Sequence, residues 1–221
     1  MFKYKIYVFF MFFLAISVCS FINVNANEFP LLNKVIYIDP GHGGADPGTI
    51  YKDIYEKDIN LELCNKLKNK LESLGAIVYM TRYGDYDLSN NYAVSRKKSD
   101  LNNRAKIINN SKADLYISIH LNSISSSTWS GAQVFYDDVN EKNNEIAELM
   151  QNQLKEDLNT KRKVKELTNM LLNRKVIIPG ILIEVGFLSN PNDRYLLQKQ
   201  YYQKKVINSI TTGVLKYFKN K

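Results

Sequence analysis

This chain is short of histidine and sulfur, with two histidines, two cysteines and a single tryptophan in 221 residues. Cys19 falls in an apolar leader and Cys64 inside a helical pattern, so no intrachain disulfide is expected and Cys64 reads as core. There is no GxSxG segment, which leaves a serine hydrolase without its nucleophile turn. Internal repeats are absent, and so is any appended binding module. A concentrated basic stripe is missing too. The net charge of +8 comes from lysines scattered over helix faces, so nucleic acid is not an expected partner. A basic surface of this kind suits an anionic wall or membrane.

What remains is an ordinary globular composition, 45% hydrophobic and 24% charged, at a length that fits one α/β domain. Residues 1–26 carry Lys3 and Lys5, then an apolar run from Ile6 to Ile22, then the small residues of Val24-Asn25-Ala26. That pattern reads as a signal peptide or an N-terminal membrane anchor. Val18 before Cys19 does not suit a lipoprotein signal. Either way the domain is expected to be exported across the cytoplasmic membrane, touching it only through this segment. Residues 27–33 read as a linker and 34–221 as the catalytic domain.

Val35-Ile36-Tyr37-Ile38 suits a covered strand, and Asp39-Pro40-Gly41 stops it. Glu56 to Gly75 reads as a helix, with Ile59, Leu63, Leu67, Leu71 and Leu74 on one stripe. A strand from Ala76 to Thr81 and a polar loop from Tyr83 to Ser99 follow. Asp100 is the expected cap of a second helix ending near Ser111, and Ala113 to Ile119 is the next strand. A Ser-rich loop, Leu121 to Gly131, holds Trp129. Ala132 to Tyr136 reads as a strand, and Glu141 to Leu158 as a helix. Val164 to Arg174 has no clear period. Ile181 to Glu184 reads as a strand, Val185 to Asn192 as a loop, and closing helices begin at Asn192 and Tyr201. This alternation predicts a mainly parallel sheet with helices on its faces.

Both histidines fall where a strand ends, His42 after VIYIDPG and His120 after LYISI, and Glu184 ends ILIE. In a parallel sheet these exits share one rim, where α/β folds bind ligands. Two imidazoles, a carboxylate and a position left open for water make a catalytic zinc set, with a further carboxylate as general base. Glu56 is the preferred third ligand because it opens the helix after the His42 loop. Asp46, Asp53 and Asp58 remain rivals on spacing. Glu184 fits the base. Taken singly, each residue has a plainer reading. A strand-end histidine is usually hydrogen-bonded structure, Glu56 a favourable charge in a helix's first turn, and Asn122 a turn residue. Trp129 is equally core or an exposed stacking face.

In order, IDPGHGGADPG, YEKDINLEL, ADLYISIHLNS and IEVGFLSNPND resemble the motifs of zinc-dependent N-acetylmuramoyl-L-alanine amidases, the Amidase_3 family. The resemblance runs from about Lys34 to the C-terminus. It implies one Zn²⁺ bound by His42, Glu56 and His120, with Glu184 as the catalytic glutamate and peptidoglycan as the substrate. It also implies a single α/β domain with a mixed, largely parallel sheet of about six strands flanked by helices. Asn122 and Trp129 are candidate substrate-binding residues. SSSTWSGAQVFY, the long insert after MTR and the lack of wall-binding repeats resemble the sporulation-linked, CwlD-like branch. That branch implies trimming of spore-cortex stem peptides toward muramic-δ-lactam. An activating or localising protein partner stays open. So do two other classes: a zinc peptidase acting within the stem peptide, and a non-catalytic wall-binding protein.

Overall fold

The structure is a computed structural model that describes residues 28–219; the expected leader at 1–26 lies outside them. Residues 28–33 form a turn held to the domain, with Leu31 fully buried and its amide donating to the Leu74 carbonyl at 2.9 Å.

Eight strands and six helices follow. β1 is Val35–Pro40, β2 Ile50–Tyr51 and β3 Ile54–Tyr55, and the last two pair as a small hairpin. Helix α1 (Glu56–Glu72) buries Ile59, Leu63, Leu67 and Leu71 of the expected stripe, with Cys64 beside them, and ends before Leu74, which is only partly buried. Gly75, at φ 95°, then turns the chain into β4 (Ile77–Met80).

Helix α2 (Arg96–Asn110) begins earlier than expected. Ser95 is its cap, in extended backbone, accepting from the Lys98 amide at 3.3 Å. Asp100 is not the cap. It lies inside the helix, buried, and accepts from the Leu88 amide at 2.7 Å and Arg104 Nε at 2.9 Å. The first turn, RKKS, has no apolar residue to reveal the period, which is why the boundary reads late.

Next come β5 (Leu115–Asn122), β6 (Gln133–Tyr136), α3 (Asn143–Leu158), β7 (Lys165–Glu166) and α4 (Leu171–Lys175). The segment without a clear period is thus a short strand and one helical turn. β8 (Gly180–Phe187) runs three residues past Glu184 into what reads as loop, because Val185 and Phe187 are buried and continue the covered run. α5 (Pro191–Leu197), capped by Asn190, and α6 (Gln200–Lys219) close the chain.

The main sheet is six-stranded, in the order β4-β1-β5-β8-β6-β7. β1, β4, β5 and β8 are mutually parallel, whereas β6 lies antiparallel to β8 and carries β7 alongside it. The sheet is mixed and largely parallel, as expected. One apolar cluster joins a sheet face to α1, α3 and α6, and a smaller one joins the other face to α2 and α4. Pairing of Pro40 with Ile119 and of His120 with Glu184 aligns the exits of β1, β5 and β8 on one edge. Gln133 opposes Glu184, so β6 contributes its start, not its end, to that edge.

Candidate metal centre and active site

The chain leaves β1 through a turn that takes His42 to φ 62°, a left-handed conformation uncommon for a side chain other than glycine. Two buried arginines hold that turn by its carbonyls. Arg82 donates to the carbonyls of Pro40 at 3.0 Å and Gly41 at 2.9 Å, and Arg104 to those of Pro40 at 2.8 Å and His42 at 2.6 Å. Asp39 lies beneath, accepting from Arg104, from Thr81 Oγ1 at 2.6 Å and from Ser118 Oγ at 2.8 Å. Burial pushes the Asp39 carboxyl up, but the Arg104 charge and the Thr81 hydroxyl hold it below the usual range.

Three groups converge above this base. Glu56 Oε1 lies 3.1 Å from His42 Nε2 and 3.2 Å from His120 Nδ1. The same oxygen accepts the Leu121 amide at 3.0 Å, while Oε2 accepts the Thr49 amide at 2.9 Å. Burial would raise the Glu56 carboxyl, yet hydrogen bonds with His120 and His42 hold it far below the ordinary carboxylate value. Asp46, a rival ligand on spacing, instead accepts from the far side of His42, with Nδ1 to Oδ2 at 3.0 Å. That contact fixes the ring so that Nε2 faces Glu56. Burial works to lower the His42 imidazole, but its bonds to Glu56 and Asp46 raise it. Asp53 and Asp58 are exposed and do not line the cleft.

The residues present fit a metal ion. One atom each from His42, Glu56 and His120 lie within 4.8 Å of one another, and two imidazole nitrogens with one carboxylate oxygen suit zinc. The backbone keeps this space clear. A Cβ at Gly41 would come within 2.2 Å of His120 Cε1, and one at Gly48 within 2.6 Å of His42 Cδ2.

The triad opens into a cleft of about 410 Å³ that Glu184, Asn122, Lys97 and Met170 also line. Glu184 is half-buried, but its Oε2 is shielded and has no hydrogen-bond partner. Burial, and then the nearby Glu56 charge, push its carboxyl well above the ordinary value. A carboxyl in that state is poised to hold a proton. Asn122 sits at the cleft margin. Trp129 does not line the cleft. It is exposed, and lies in a neighbouring hollow that shares Asn122.

Sequence reasoning missed Asp39, Arg82 and Arg104. Their only local signals are an aspartate at a strand end, an arginine just after another strand, and the i,i+4 pairing of Asp100 with Arg104.

Comparison with known proteins agrees with this geometry. The family model described as N-acetylmuramoyl-L-alanine amidase matches residues 36–216. The germination-specific N-acetylmuramoyl-L-alanine amidase of Bacillus subtilis is 48% identical over 196 residues, covering 87% of this chain and 83% of that protein. Among solved structures, the CwlD amidase from Clostridioides difficile in complex with the GerS lipoprotein matches with a TM-score of 0.81 and 38% identity, over 86% of this chain and 100% of that one. A further N-acetylmuramoyl-L-alanine amidase from Clostridium difficile 630 matches at TM-score 0.76 and 33% identity, over 85% and 98%. With the family model matching residues 36–216 and a relative 48% identical over 87% of it, the chain belongs to the N-acetylmuramoyl-L-alanine amidase family of peptidoglycan hydrolases.

Proposed function

We propose that His42, Glu56 and His120 hold a zinc ion and that Glu184 is the base that hydrolyses the amide between N-acetylmuramic acid and L-alanine. When bound there, zinc would polarise the scissile carbonyl and make water a better nucleophile at neutral pH. The remaining work falls to the chain. Glu184 accepts the proton of the attacking water and returns it to the departing alanine nitrogen. The Leu121 and Thr49 amides hold the Glu56 carboxylate in place. Asp46 orients His42, and the bare backbone at Gly41 and Gly48 leaves room for the site.

The observation that carries this reading is the shielded, unpartnered Oε2 of Glu184 in the cleft that the three donors share. The test is digestion of purified peptidoglycan by the wild type and Glu184→Gln, with metal analysis of both. The expected products are intact stem peptides and bare glycan from the wild type, with zinc retained but turnover lost in the variant. Near-normal turnover by the variant would remove Glu184 from this role. Shortened peptides still attached to glycan would instead identify a stem-peptide peptidase.

The 48% identity to a germination-specific amidase supports a role in the spore cortex, toward muramic-δ-lactam. We place the catalytic domain at 34–221, exported by the leader at 1–26 and working at the cell wall. Among the described residues, no helix is long and apolar enough to cross a membrane. A lipoprotein partner is part of the proposal, because the CwlD relative is solved in complex with one. Muropeptide analysis of spores lacking the gene tests the cortex role; cortex with normal muramic-δ-lactam content would refute it.

A further inference from the structure

Beyond the cleft, past Asn122, lies a second hollow of about 330 Å³. Asn122 lines both cavities, so the two are neighbours. Trp129, Gln133, Arg162, Lys165 and Phe187 form most of its wall, and no acidic side chain lines it. The Arg162 guanidinium lies between aromatic rings, 4.6 Å from the Trp129 centroid and 5.3 Å from that of Phe187. Among the described residues its only side-chain acceptor is the neutral Gln133 Oε1, which takes Nε at 2.9 Å and also Nη2. Among the described residues, neither Arg162 nor Lys165 has an acidic partner within ion-pair distance. A half-buried guanidinium stacked on rings, with no counter-ion and donor capacity to spare, is the usual arrangement for recognising a carboxylate.

The loop that presents Arg162 is itself fixed. Asn159 ends α3 in a left-handed conformation at φ 56°. Thr160 Oγ1 then donates to the Ala132 carbonyl at 2.9 Å and accepts the Arg162 amide at 3.2 Å. Gln133 Nε2 holds the Lys163 carbonyl at 2.8 Å. The cation is therefore positioned before any ligand arrives, which limits the entropy lost on binding.

Position selects which carboxylate. Gln133, whose Oε1 accepts from Arg162, pairs with Glu184 on the adjacent strand, so the hollow adjoins the part of the cleft that holds Glu184. A stem peptide running from the cleft into the hollow would bring the first residues after the cut bond to Arg162. In peptidoglycan the residue after L-alanine is a γ-linked D-glutamate, whose α-carboxylate is either free or amidated. Resting on the amidase reading above, we propose that Arg162, backed by Trp129 and Gln133, binds this free α-carboxylate and makes the enzyme select non-amidated stem peptides.

The experiment uses the zinc-loaded full chain and two soluble substrates, N-acetylmuramoyl-L-alanyl-D-glutamate with its γ-carboxyl blocked as the N-methylamide, and the α-amide of that same compound. The wild type is expected to favour the acid in kcat/KM by about 10- to 100-fold, the range of one charge-assisted hydrogen bond, mainly through KM. In Arg162→Gln that preference should fall toward unity, and Arg162→Lys should restore part of it. Trp129→Leu, at an exposed position, reads the same preference independently, because losing the ring face weakens the hold on the guanidinium. Equal kcat/KM for acid and amide in the wild type overturns the subsite alone, as does a preference unchanged in both Arg162→Gln and Trp129→Leu. Cleavage of neither substrate overturns the hydrolytic reading and the subsite with it.

Discussion

Arg104 Nη1 lies 2.8 Å from Asp39 Oδ1, with each side chain 1% exposed, and the same guanidinium holds the His42 carbonyl. A buried ion pair is therefore built into the support of a proposed metal ligand. Arg104→Met would leave Asp39 charged, buried and short of donors, costing about 3–5 kcal/mol in denaturant unfolding. It should also weaken zinc binding by freeing the His42 turn. Because Asp39 titrates below its unfolded value, its contribution is present at neutral pH and is lost as pH falls through the folded value. The gap between wild type and variant should narrow in acid. A gap independent of pH would show that the loss is packing alone.

Glu184→Gln should separate activity from stability. Turnover is expected to fall about 10²- to 10⁴-fold, the scale of general base catalysis. Metal-free stability should rise instead, by at least ~1 kcal/mol near neutral pH, since a charge that burial and Glu56 disfavour is removed. The sign follows from linkage. The folded-state value is raised above 4.5, so the wild type loses stability as pH climbs from 4.5 through that value. Thermal melts of the two proteins should converge below about pH 4.

With His42 as a proposed zinc ligand, zinc and protons should compete for it. In the metal-free protein its pairing with Glu56 and Asp46 stabilises the fold fully below 6.5, and this contribution is lost as pH rises through the raised folded value. Zinc needs the neutral ring, so metal affinity should grow over the same interval and protons should be released on binding. At zinc concentrations near 100 times Kd, stability should increase by about 2.7 kcal/mol. Chelator should reverse it. Calorimetry in buffers of different ionisation enthalpy measures the proton count, and a count of zero would contradict this account.

Asp46→Ala removes the partner 3.0 Å from His42 Nδ1 without touching a proposed donor. Zinc affinity is expected to drop about 10- to 100-fold while the fold persists. Competition with a chromophoric chelator measures this directly. An unchanged affinity would mean that the turn, not Asp46, sets the ring.

Gly48→Ala places a Cβ 2.6 Å from His42 Cδ2 and 2.7 Å from Glu56 Oε2, at a backbone φ of +67°. Both the clash and the conformation oppose the change. Loss of zinc binding should exceed the loss of stability, the latter about 1–2 kcal/mol. Zinc titration beside a thermal melt distinguishes the two.

That β1, β5 and β8 deliver His42, His120 and Glu184 to one edge was legible because each is a short β-branched run; their ends were not, since β5 continues to Asn122 and β8 to Phe187. His42 and His120 could be paired across the sheet for that reason. Glu56 was favoured for its place at a helix start, but only coordinates show its carboxylate between both rings. Arg82 and Arg104 were invisible, since a single sequence does not distinguish an arginine folded under a turn from one in solvent. Arg162 was hidden in the same way, in a stretch before β7 that has no period. The reversed direction of β6 was also unreadable: a four-residue strand has the same pattern whichever way it runs.

That sheet order also sets a sequence of events along the chain. His42, Glu56 and His120 are all in hand once β5 has added to β1, by residue 122. The other edge of β5 waits for β8, which begins at residue 180 and alone brings Glu184. During vectorial emergence the half that carries the proposed metal donors can therefore form before the proposed base arrives. An incomplete chain would be able to take up metal while having nothing with which to cut the wall.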